Sequence, residues 1–332
     1  MNGTPPVPPR PRVIDMHVHF VGNGAGGSGC WFRRRGITQH LIPFMLRELG
    51  LPGDALDRDF DTLYRDRLLQ LIRASSVDAV VLFAQDNVYH ADGTLWEGRG
   101  TFHVPNDVVL RLAREHPEFL PAVSIHPARP DALAELDRCV AAGAAAFKLL
   151  PNCHNVDTAL PQYRAFWRRL AESRLPFICH TGVESTVDET RPDLAHPHNL
   201  RAPLEAGVTV IAAHCATGQP LLGRDWFHEW RAMLRQYPNL YGDISALSLP
   251  GRDRWLPLCR QPGVVERVLY GSDVPVLVQA WPAFFRRRIN LAQFLMLRRE
   301  RNPLERNFRL KRLLGFPDEV FTRMETLLRR RA

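Results

Sequence analysis

The chain has 332 residues, 45% of them hydrophobic and 23% charged, with a formal net charge of +8. That length and balance fit a folded protein built on one α/β barrel with a few added elements, and they exclude a disordered chain. No stretch approaches the roughly 18 uninterrupted apolar residues of a membrane span, and no apolar export signal opens the chain.

Residues 1–12 are rich in proline and read as an extended arm, with the barrel and its C-terminal helices occupying 13–332. From there short apolar runs alternate with longer amphipathic segments, the pattern of a parallel α/β protein. Strands are expected at 12–19, 78–84, 120–126, 144–150, 175–180, 208–214, 240–244 and 265–271. Several are apolar on both faces, as strands between a barrel interior and a helical shell must be. Helices are expected at 62–75, 106–115, 131–142, 162–173, 226–237 and 251–260, with Asp131 as a helix cap. About sixty residues of arginine-rich helical pattern follow the eighth strand. The resulting fold is a single (β/α)8 TIM barrel with extra C-terminal helices. An open doubly wound sheet is the alternative, but no glycine-rich dinucleotide loop follows the first strand.

Six cysteines, at 30, 139, 153, 179, 215 and 259, are scattered without a CxxC pair. Reduced thiols in a cytoplasmic protein are therefore expected. Arginine accounts for nearly all the basic charge, in runs such as Arg33-Arg34-Arg35, Arg286-Arg287-Arg288 and Arg329-Arg330-Arg331. These runs read as solvated helix faces. No zinc-finger spacing or RNA-binding aromatic motif accompanies them, so a nucleic-acid partner is not expected. Only Lys148 and Lys311 are lysines.

Reactive groups of such a barrel sit where strands end and loops begin. The first strand ends in Asp15-Met16-His17-Val18-His19. Residues two apart on a strand point the same way, so His17 and His19 can meet one metal. Lys148 falls at the end of the fourth strand, His180 the fifth, His214 the sixth and Asp273 the eighth. One such ending is weak evidence, but five on one rim form a constellation.

With these endings the sequence resembles the amidohydrolase superfamily, and most closely its amidohydrolase-2 branch. The resemblance runs from IDMHVHF through AAFKLLPN, PFICHTGVE, VTVIAAHCA and LYGDIS to LYGSDVP. It implies that His17, His19, His180 and Asp273 hold a catalytic divalent metal, zinc being the first choice for imidazole and carboxylate ligands. It makes His214 either a ligand of a second metal or the group that positions the reacting water or carbonyl, and Asp273 the proton carrier. The branch contains C–O and C–N hydrolases and also decarboxylases of aromatic acids.

Lys148 bears on that division. A neutral lysine amine can take up CO2 as a carbamate that bridges two metals, as arginine cannot, and binuclear members of the superfamily have a lysine at this strand end. The other reading is a charged lysine that binds a substrate carboxylate or pairs with Asp273. Trp31, His126, Asn152, His154 and Glu184 lie at strand ends or in mouth loops and are candidates for substrate contact. Asp243 is placed to support a histidine from behind. Cys179 and Cys215 should turn toward the helical shell.

The expected function is hydrolysis of a lactone, ester or amide of a small molecule. Aromatic-acid decarboxylation is the alternative, and a metal nuclease a weaker one. A homo-oligomer is compatible with the sequence.

Overall fold

The computed structural model describes residues 10–34, 38–218 and 224–328. Eight short runs of valine, isoleucine, leucine and alanine form parallel strands, each hydrogen-bonded to its neighbours in chain order. They are β1 (Ile14–His19), β2 (Ala79–Phe83), β3 (Phe119–Val123), β4 (Ala146–Leu149), β5 (Phe177–Cys179), β6 (Val210–Ala212), β7 (Leu240–Asp243) and β8 (Val268–Leu269). Backbone bonds from Met16 N to Tyr270 O (3.1 Å), Asp273 N to His17 O (2.9 Å) and His19 N to Val274 O (2.9 Å) join β1 to the end of β8 and close the barrel. The eighth strand is shorter than expected, because Val265–Arg267 forms a 3-10 turn.

Helices α1 (Thr38–Leu49), α2 (Phe60–Arg73), α3 (Asn106–Glu115), α4 (Ala132–Ala141), α5 (Arg164–Glu172) and α6 (Phe227–Met233) lie along the chain between the strands. After β8 come α7 (Leu291–Arg299), α8 (Pro303–Leu313) and α9 (Asp318–Leu327). Asp131 precedes α4 but makes no side-chain cap bond. Its carboxylate is taken instead by the Arg129 guanidinium, at 2.7 and 2.9 Å.

Two apolar clusters follow from strand alternation. Ile14, Met16, Val81, Ala146, Ile178, Ile211 and Leu269 fill the barrel interior together with Met324 of α9. Val18, Phe147, Leu149, Cys179, Val210 and Cys215 face the helical shell. Met324 thus plugs the barrel floor, and its neighbour Glu325 accepts from Arg12 N (2.9 Å) and Arg12 Nε (2.7 Å). Arg10 grips Asp78 with both terminal nitrogens. The rest of the proline-rich arm, residues 1–9, lies outside the described residues, as do Arg35 and the run 329–331.

Candidate active site

Ile14 and Met16 point into the barrel, so simple alternation would send His17 and His19 outward. The pairing of β1 with β2 slips between Asp15 and Val18. This bulge reverses the parity, putting Val18 in the shell and both imidazoles in the mouth. Asp273 comes to meet them from beyond β8, with a left-handed φ of 73°. Its Oδ1 lies 3.2 Å from His17 Nε2 and 3.5 Å from His19 Nε2.

Behind this triplet, Asp243 at the end of β7 organises the back wall. Its Oδ2 sits 2.9 Å from His17 Nδ1, and its Oδ1 accepts from His214 N (3.1 Å) and Ser245 N (2.9 Å). Ser245 Oγ also donates to Asp243 and reaches His214 Nδ1 at 2.8 Å. His214 Nδ1 stands 3.1 Å from the Ser245 carbonyl, which can only accept. With Nδ1 of His17 and His214 acting as donors, Nε2 of each ring is left as an acceptor, that of His17 lying 3.5 Å from Lys148 Nζ.

His214, Cys215 and Ala216 have φ of 58°, 50° and 55°, three successive non-glycine residues in the left-handed region. Such strain persists where surroundings over-determine it, often at functional sites. Here Thr217 N and Oγ1 both donate to His214 O. Gly182, with φ of +85°, lets the loop after β5 press against Thr217 O, where a Cβ would collide. That close approach brings the ring of His180 within 5.2 Å of the ring of His214.

Burial holds the imidazoles of His17 and His214 well below their usual pKa and that of His180 at about 3, so all three are neutral. Burial pushes the Asp273 carboxyl up and the Lys148 amine down. Lys148 is fully buried, with Nζ 3.5 Å from His17 Nε2 and 4.7 Å from the centre of the Phe83 ring. No ion pair joins it to Asp273 among the described residues.

This arrangement suits a divalent cation. Lone-pair acceptors of His17, His19 and Asp273 face one another at close range, which is repulsive unless a proton or metal stands among them. His180 Nε2 is buried with no hydrogen-bond partner. Imidazoles and a carboxylate are the donor set that transition metals take.

A cavity of about 300 Å³ opens over these groups, lined by His19, His180, Glu184, His214 and Asp273. Of the five candidates for substrate contact, only Glu184 is among its lining residues. Its Oε2 is 3.7 Å from His180 Nδ1, while Oε1 accepts from Ser185 N at 2.8 Å. Both ring nitrogens of His126 are engaged, with His154 O (2.8 Å) and Ala128 N (3.1 Å). Those of His154 meet Gln85 (2.9 Å) and Leu150 N (3.2 Å). Asn152 donates to Glu189 at 2.9 Å, and Trp31 stacks on His103 in the ribbon formed by Trp31–Phe32 and Phe102–His103.

Two features escaped the sequence reading. Helix α1, interrupted by Pro43, supplies Leu41, Ile42, Met45, Leu46 and Leu49 to the cavity wall. Arg252, on the 3-10 turn Arg252–Trp255 after β7, also lines it and is only 4% exposed. The expectation that the arginine runs are simply solvated needs correction too. Arg286 and Arg288 approach the buried carboxylate of Asp253 at 2.6 and 3.5 Å, next to Arg252.

Fold and site together define a (β/α)8 barrel with a histidine–aspartate cluster at its C-terminal mouth. A family model described as amidohydrolase matches residues 14–295, and the chain belongs to that family, the amidohydrolase-2 group. Its members are metal-dependent enzymes, hydrolases or decarboxylases. Among solved structures, an uncharacterized TIM-barrel protein from Bordetella bronchiseptica aligns at 18% identity and TM-score 0.59, over 91% of this chain and 99% of its own. A candidate 2-pyrone-4,6-dicarboxylic acid hydrolase from Pseudomonas putida aligns at 16% and 0.51, over 92% and 98%. The 5-carboxyvanillate decarboxylase of Sphingomonas paucimobilis aligns at 13% and 0.52, over 93% and 100%. At these identities the likeness establishes the fold. No curated protein sequence matches the chain significantly. No helix among the described residues is long and apolar enough to cross a membrane.

Proposed function

We propose that the chain is a metal-dependent hydrolase that cleaves a C–O or C–N bond of a small lactone, ester or amide. The observation that carries this reading is the convergence of His17, His19 and Asp273 within metal-ligand reach of one another, with the unpartnered, buried Nε2 of His180 in the lining of the cavity that His19 and Asp273 also line. These four residues would hold the ion, with zinc the first choice. A divalent metal bound there supplies water that ionises near neutral pH. With such an ion held there, Asp273 would be the carboxylate placed to accept a proton from water and return it to the leaving group. His214, its Nδ1 fixed on Ser245, presents Nε2 to the cavity and orients the scissile carbonyl. Were Lys148, buried and without an ion-paired carboxylate among the described residues, to be carboxylated, a second metal could be held by the carbamate with His180 and His214, leaving His17, His19 and Asp273 to the first.

Decarboxylation of an aromatic acid is the second reading, favoured by the presence of a cationic Arg252 in the same cavity. In that case Lys148 stays unmodified and structural. One experiment tests both. Metal content is measured on enzyme prepared without chelator, then turnover is screened on lactones, esters, amides and aromatic acids. Stoichiometric metal with hydrolysis supports the first reading, metal with CO2 release supports the second, and a protein that neither holds nor rebinds metal refutes both.

A further inference from the structure

Arg252 is a buried guanidinium that no carboxylate among the described residues meets at ion-pair distance, although Asp273 and Glu184 act on it through space. One terminal nitrogen donates to the Val183 carbonyl. Its Nε has no hydrogen-bond partner, and no carboxylate among the described residues ion-pairs with it. Leaving a charge so placed is costly unless something else meets it. The position is nevertheless firmly built. Gly251, with φ of 84°, turns the chain into the Arg252 turn. Asp253, 1% exposed, is clamped from outside by Arg286 and Arg288.

The rest of the cavity says what kind of ligand would satisfy it. Among the described residues, Arg252 is the only arginine or lysine lining it, in company with His19, His180, Glu184, His214 and Asp273. Much of the remaining lining is apolar, with Leu41, Ile42, Met45, Phe60, Val187 and Leu277. The presence of Glu184 and Asp273 in the same lining disfavours a group with two negative charges such as a phosphate. A planar monoanion suits a single guanidinium fork best.

We propose that Arg252 is the receptor for one carboxylate of the substrate, and that the cavity selects monocarboxylic acids with an apolar body over dicarboxylates. This rests on reading the cavity as the substrate site of the hydrolase. Arg252 binds and orients the acid, and the scissile bond then falls between the carboxylate and the histidine–aspartate cluster. A second carboxylate would find no second cationic arginine or lysine among the described lining residues.

The test is calorimetric titration of metal-loaded enzyme with phenylacetate, its neutral counterpart phenylacetamide, and the dicarboxylate homophthalate. Wild type should bind phenylacetate at least tenfold more tightly than either of the others. Arg252→Gln should remove the acid-over-amide preference while leaving metal content unchanged, and Arg252→Lys should restore only part of it. The wild-type contrast stands even if the variants fold poorly. Retained preference in a folded Arg252→Gln would overturn the proposal, since the carboxylate would then be held by the metal or another group. Tighter binding of homophthalate, or no binding of phenylacetate at millimolar concentration, would overturn it too. Arginine-dependent acid binding in a protein that holds no metal would sustain this inference while removing the hydrolase reading.

Discussion

Asp243 is not among the described residues lining the cavity, yet His17, His214 and Ser245 all lean on its carboxylate. The residues that react are only as well placed as the group behind them. Changing His17 and His19 together to Ala should remove most of the bound metal, which elemental analysis reads directly. Asp273→Asn should keep the fold and much of the metal but lower kcat by ~10²–10⁴-fold, the usual range for a lost proton carrier. Near-normal turnover would end that role. For Lys148 the contrast of two variants decides. A carboxylated lysine predicts that Ala and Arg both fail and that metal falls below two equivalents, whereas an electrostatic lysine tolerates Arg. Lys311, the other lysine, is buried with Nζ unpartnered, and burial lowers its pKa to about 8. The unfolded chain, with an ordinary lysine pKa of 10.5, binds more protons than the folded one between pH 8 and 10.5. Folding stability should therefore rise with pH through that window, the penalty being complete below it. Lys311→Met should remove the slope and stabilise the protein at neutral pH by on the order of 1–3 kcal/mol, measurable by urea unfolding across pH. The metal-capable residues were legible because rare residue types fell at strand ends. Arg252 was not, being one of many arginines in a loop whose burial no local pattern announces.

At the scale of elements, strand order and position were readable from apolar runs, since a buried parallel strand has few other ways to be written. The β1 bulge was not readable, because the chain on either side looks like one uninterrupted strand. Helix α1 was hidden for a different reason. Pro43 interrupts the periodicity, and the helix is supported by what it covers rather than by propensity. The contact between the loops after β5 and β6 is likewise tertiary, and Gly182 makes it possible. Gly182→Ala would combine an unfavourable φ with a collision against Thr217 O. It should cost about 1–3 kcal/mol in unfolding free energy. Because the displaced loops carry His180 and His214, turnover should fall further than stability. Equal activity per folded molecule in the variant would show that these loops are not positioned by that contact.

Over the whole molecule, many arginines are engaged by carboxylates of the same chain. Arg10, Arg12, Arg129, Arg138 and Arg306 each meet a carboxylate. The run 286–288 is the instructive case. From sequence it reads as three equivalent solvated cations, but Arg286 and Arg288 both reach Asp253 while Arg287 makes no ion pair among the described residues. The segment beyond the eighth strand is thus tied to the turn that carries Arg252. Replacing Arg286 and Arg288 together by Gln should leave the buried Asp253 carboxylate short of partners, costing about 1–3 kcal/mol and lowering Tm by a few degrees. With the Arg252 turn loosened, KM for an acidic substrate should rise several-fold while kcat changes little, because the histidine–aspartate cluster is held by other elements. Arg287→Gln is the control and should alter neither Tm nor KM. If the double variant instead matches wild type in both and only loses salt-sensitive binding to polynucleotide, the run serves an external partner and not the cavity.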